Sequence, residues 1–129
     1  MNYRDPPVTK RAKNTDPAYL AKFAHYRRLI QSIPEVECKG DANPYTSING
    51  HMFSYLHPSG AVALRLPEPQ RDAFLLDHKT SLFRAYGVVQ KEYVTVPDDL
   101  LTDASRLKKY FRLSFDYVSA LKPKAKPKN

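Results

Sequence analysis

The chain has 129 residues, 42% of them hydrophobic and 12% aromatic, with a net charge of +8 and a single cysteine. That length suits one domain with one core, and the composition is too apolar for intrinsic disorder. No apolar run reaches the roughly 20 residues of a membrane-spanning helix, and Cys38 alone can complete neither an intramolecular disulfide nor a CxxC metal site.

Residues 1–14, "MNYRDPPVTKRAKN", hold Arg4, Lys10, Arg11 and Lys13 against Asp5, a charge of +3. The segment has no apolar middle region of the signal-peptide kind, so the expectation is a basic disordered arm on a cytoplasmic protein. "TDPAYLAKFAHYRRLIQSIP" then predicts a helix, with Asp16 as N-cap, Pro17 at the first helical position and Pro34 as the stop. Tyr19, Phe23, Tyr26, Ile30 and Ile33 form its apolar stripe at steps of three and four. Lys22, Arg27 and Arg28 fall on the other side and read as a solvated face.

After Pro34 the period changes to two. "EVECK" is a short strand candidate, and "GDANP" is a turn-rich break. "YTSI" leads into Asn49-Gly50, a strong hairpin signal, because both central residues of a type I′ turn need φ > 0. "HMFSYLH" is the return strand, Pro58-Ser59-Gly60 the next turn, and "AVALRL" a third strand with Val62, Leu64 and Leu66 on one face. "PEPQRDAFLLDH" predicts a short helix over 68–77, and "LFRAYGVV" is ambiguous, with Gly87 as a turn. "KEYVTVP" is β-branched and ended by Pro97, hence a strand. "DDLLTD" is a helical turn whose acidic residues suit a helix start. Asp103 then caps a long helix over 104–121, with Leu107, Tyr110, Phe111, Ser114, Tyr117, Val118 and Leu121 on one face.

The tail, 122–129, is "KPKAKPKN", in which Lys122, Lys124, Lys126 and Lys128 contribute +4. Its alternation of Lys with Pro or Ala keeps it extended and without burial. Taking +3 and +4 from +8 leaves +1 for residues 15–121, so the folded part reads as nearly neutral and the basicity as a property of the ends. Lys10, Arg11, Lys13 and the four tail lysines are therefore the candidates for weak, salt-sensitive phosphate contact.

The expected architecture is α+β. It is an antiparallel sheet, a three-stranded meander plus one or two further strands, packed against an N-terminal helix and a long C-terminal helix. Residues 15–121 are expected to form one domain between two disordered ends.

Chemistry is harder to find. His51 and His57 flank one strand, and in a regular strand they would share a face while lying about 20 Å apart at roughly 3.3 Å per residue. One metal ion cannot span that distance. His25 and His78 have no carboxylate or histidine at helical spacing, and no HExxH, GxSxG, P-loop or GxGxxG occurs. No cofactor is implied. Phe53 and Tyr55 could form an aromatic platform, and any site would gather near the sheet ends, around His51, His57, Arg65 and Glu92.

Four stretches, "INGHMF" (48–53), "GAVALRLP" (60–67), "KEYVTVP" (91–97) and "SFDYVSALKPK" (114–124), carry a resemblance. Together they resemble the N-terminal domain family of the competence regulator TfoX, over about residues 30–124. The chain has "CKGDANPYTS" where that family often carries an aromatic–glycine pair. What the resemblance implies is an α+β fold related to YjbR-like proteins and secretion chaperones. Its motifs are structural, and it implies no catalytic residue.

The functional expectation is a small non-enzymatic binding or regulatory module, homodimeric or bound to another protein, with no membrane role. Phe53 and Tyr55 alternate with Met52 and Leu56, so both faces of the strand carry apolar groups and call for cover. The alternatives are a nucleic-acid-associated protein that uses its basic ends, and an enzyme of unrecognised type.

Overall fold

The computed structural model describes residues 15–40 and 42–123. The basic arm 1–14 and the tail lysines Lys124, Lys126 and Lys128 lie outside them.

The first helix, α1 (Pro17–Gln31), starts as its sequence dictates: the Asp16 carboxylate accepts a hydrogen bond from the Tyr19 amide at 3.2 Å. Tyr19, Tyr26, Leu29 and Ile30 are buried along its inner side. The expected strand at "EVECK" does not form. Val36 packs on the core, but the backbone makes one isolated bridge, Lys39 to Tyr45, with N–O distances of 2.8 and 2.9 Å. Gly40, at φ 80°, then turns the chain away from any longer pairing.

Strands β1 (Tyr45–Ile48), β2 (His51–Leu56) and β3 (Val62–Arg65) form the meander, then α2 (Glu68–Asp77) crosses to β4 (Leu82–Ala85) and β5 (Val88–Val96). Asn49 and Gly50 sit at φ 54° and 81°, as a type I′ turn requires. The ambiguous "LFRAYGVV" is a second hairpin of the same kind, with Tyr86 at φ 54° and Gly87 at φ 76°. All neighbours pair antiparallel in the order β1-β2-β3-β5-β4, so β1 and β4 are the edges. The short α3 (Asp98–Leu101) precedes α4 (Ala104–Ser119), whose N-cap Asp103 accepts from the Arg106 amide at 3.2 Å.

The helices lie against one face of the sheet. There Tyr26, Leu29, Phe53, Leu56, Leu64, Phe74, Phe111 and Val118 belong to one buried cluster. Two polar devices lock this layer. Tyr26 Oη, Ser54 Oγ and Thr46 Oγ1 form a buried hydroxyl chain at 2.7 and 2.6 Å, joining α1 to β2 and β1. Ser114, the hydroxyl in the apolar stripe of α4, donates to the backbone carbonyl of Arg65 on β3. A buried hydroxyl without such a partner would cost its full desolvation.

Candidate functional site

The decisive local feature is a β-bulge in β2. Thr46 faces Ser54, but Ser47 faces Met52, so Phe53 has no opposite number on β1. Phe53 and Ser54 consequently both point to the helices, and the alternation of the strand is reset. Phe53 is fully buried, 5.5 Å from the Phe111 ring and 6.0 Å from Phe115. The expectation that Phe53 and Tyr55 share an exposed platform is therefore corrected: Phe53 is core, and Tyr55 is on the helix-free face.

The same reset separates the histidines by face as well as by distance, contrary to the regular-strand reading. His51 Nε2 meets the backbone oxygen of Lys122, just past α4, at 2.7 Å. His57 packs instead on the helix-free face, with its ring 5.6 Å from Phe83 and 5.9 Å from Tyr86. Its Nδ1 lies 2.9 Å from the Ser59 hydroxyl and accepts the Ser59 amide at 3.1 Å, so it also shapes its own turn. Among the described residues, no three His, Cys, Asp or Glu side chains gather as a metal site would require.

On the helix-free face Ala63, Phe83 and Ala85 are buried beneath Tyr55, Ala61 and Tyr93. Tyr55 stands edge-on to Phe83 at 5.4 Å and tilted to Tyr93 at 5.7 Å. Such pairs stabilise by about 0.5–1.5 kcal/mol beyond area burial. Two hollows flank His57. One, of about 530 Å³, is lined by His57, Ser59, Ser81, Phe83, Arg84 and Thr95 among others. The other, of about 170 Å³, is lined chiefly by Tyr45, Met52, Tyr55, Pro58 and Tyr86.

Arg65 and Glu92 are brought together, at the end of the sheet. Arg65 Nε donates to Glu92 Oε1 at 2.7 Å, and the guanidinium lies 5.8 Å from the centre of the Tyr117 ring. Tyr93 donates its hydroxyl to the Met52 carbonyl at 2.7 Å. Burial pushes the Tyr93 hydroxyl up to about 12, with the Arg65 charge opposing. Burial also raises Tyr55, and it raises the free, exposed Cys38, where Arg27 works the other way.

Sequence reasoning missed Phe83 and Tyr86 as members of this face. The Tyr-Gly turn was the available signal, because Gly87 was legible as a turn while the strand before it was not. His78 and Tyr110, read as a lone histidine and a stripe residue, meet at 3.0 Å over Phe74. None of the protein-family models compared with the chain matches it, and no curated protein does. No helix among the described residues is long and apolar enough to cross a membrane.

Proposed function

We propose that this chain is a small non-enzymatic binding or regulatory module that self-associates through the helix-free face and the β4 edge. The TfoX-like resemblance implies the α+β fold and no catalytic residue, which agrees with a non-enzymatic module. The observation that carries the reading is Tyr86. A bulky aromatic at φ 54° sits where Asn, Asp or Gly would be less strained, and it is 89% exposed. Local rules are broken in this way chiefly where a side chain has a further use. Val88, paired with Ala85, is 59% exposed, and Met52 adds apolar surface beside Tyr55 and Tyr86.

The two sheet edges support the same reading. At the β1 edge, Lys39 bridges to Tyr45 and its ammonium reaches the Ser47 hydroxyl at 3.0 Å, a charged guard of the kind that blocks strand pairing. The outward edge of β4 pairs with no strand among the described residues. A second copy meeting the β4 edge through a two-fold axis would cover Tyr86 and Val88 on both partners.

Sedimentation at micromolar concentration is expected to show a dimer, and a pure monomer overturns the reading. Tyr86→Asn and Val88→Ser should shift the protein to monomer, with Tm unchanged when it is measured at a dilution where the wild type is itself monomeric. Asn suits positive φ better than Tyr, so a lost dimer at unchanged stability separates interface from fold.

A further inference from the structure

The near-neutral charge of residues 15–121 hides a strong segregation. Helix α1 carries Lys22, Arg27 and Arg28 and no acidic residue, and α4 carries Arg106, Lys108, Lys109 and Arg112 against Asp116 alone. Seven basic side chains against one acidic give these two helices +6, so the rest of 15–121, which totals +1, carries −5. Much of that negative charge is on α2 (Glu68, Asp72, Asp77) and α3 (Asp98, Asp99). The basic helices pack against each other, and Arg112 bridges from α4 to Glu35, just past α1, at 3.8 Å.

Part of this charge is engaged: Lys22 with Asp98, Arg106 with Asp103, and Arg112 with Glu35 and Asp116. Arg27, Arg28, Lys108 and Lys109 are exposed and have no acidic partner among the described residues. Two of them lie over rings that limit their wandering, Arg27 at 5.7 Å from the Phe23 centroid and Lys109 at 5.0 Å from that of Tyr110. The chain then leaves the end of α4 through Lys122, whose carbonyl His51 holds at 2.7 Å.

We propose that the outward faces of α1 and α4 form a sequence-independent binding surface for the phosphate backbone of duplex nucleic acid. A membrane surface fits less well. An interfacial helix needs a row of apolar residues on its bound face, and among the described residues α4 exposes no large apolar side chain and α1 exposes Leu20 alone. A single strand needs open aromatic faces for stacking, and here Phe23 and Tyr110 are half-buried under cations. What the layer offers is charge, and charge reads phosphates and not bases. This inference is independent of the β4-edge interface.

The test uses the full chain and a short labelled DNA duplex of mixed sequence, with anisotropy followed across a salt series. The wild type should bind, with log affinity falling linearly with log salt. Replacing Arg27, Arg28, Lys108 and Lys109 by Gln removes four contacts and should flatten that slope by about 3.6, at about 0.9 per phosphate. Replacing Arg27 and Arg28 by Lys should leave the slope intact. If the fourfold variant does not fold, Lys108→Gln alone should flatten the slope by about 0.9. Absence of wild-type binding at low salt overturns the proposal. So does a wild-type slope in the Gln variants with binding lost on Lys→Gln change at 122, 124, 126 and 128, or capture by phosphatidylserine vesicles but not by the duplex.

Discussion

Phe53 and Tyr55, two residues apart on β2, lie on opposite faces of the sheet, one against Phe111 and the other against Phe83. A regular strand would put them on the same face. The bulge at Phe53 resolves the conflict by adding one residue to β2, so that the helix layer receives Phe53, Ser54 and Leu56 while the helix-free face receives Tyr55 and His57. Phe53→Ala should therefore cost about 3–5 kcal/mol, the range for a deleted core ring. Tyr55→Ala, half-exposed, should cost clearly less. Urea unfolding of the two variants checks the ordering.

The buried hydroxyl chain of Tyr26, Ser54 and Thr46 predicts a coupled response. Ser54→Ala removes the middle member and leaves the Tyr26 and Thr46 hydroxyls without it, at a cost of about 1–3 kcal/mol. In a Tyr26→Phe background the same change should cost less, because one of the orphaned groups is already gone. A double-mutant cycle in urea measures the difference.

Alkaline pH should weaken the fold through Tyr93. Its ordinary value is 10.0 and burial raises it to about 12, so the native state favours the neutral phenol. That stabilisation is complete below pH 10 and is lost as pH rises through about 12. Burial holds Tyr26 higher still, so its ionisation should come with unfolding. Tyrosinate absorbance against pH should show a late step that Tyr93→Phe removes. Persistence of that step in the variant would assign it elsewhere.

At the sheet end, Arg65 is 18% exposed and ties Glu92, the Met52 carbonyl and the Tyr117 ring to one guanidinium. Glu92→Gln should cost about 1 kcal/mol or less, as a partly exposed pair does. Arg65→Ala should cost more, through lost packing as well as charge. The denaturation midpoint should fall in both cases at unchanged slope.

Several features were legible because they are local. Asp16 and Pro17 start α1, Asn49-Gly50 closes the first hairpin, and Pro97 ends β5, each by a constraint acting within a few residues. "EVECK" misled because a period of two says that a strand could form, not that a neighbour is free to pair with it. β4 was obscure because β5 advances five residues between pairing Val89 and Val94 while β4 advances two, from Arg84 to Leu82. No periodic pattern survives that irregularity.

By itself, then, the sequence determined the α+β class, the Asn49-Gly50 hairpin, the helix starts and the separation of His51 from His57, since backbone sterics and capping are local physics. Only the tertiary structure decided which residues share a surface. Register is a relation between strands, and one bulged residue on β2 sent Phe53 to the core and His57 to the opposite side from His51. The charge followed the same rule. A sum over residues 15–121 is +1 whatever the fold, and it was the packing of α1 on α4 that gathered +6 on one layer.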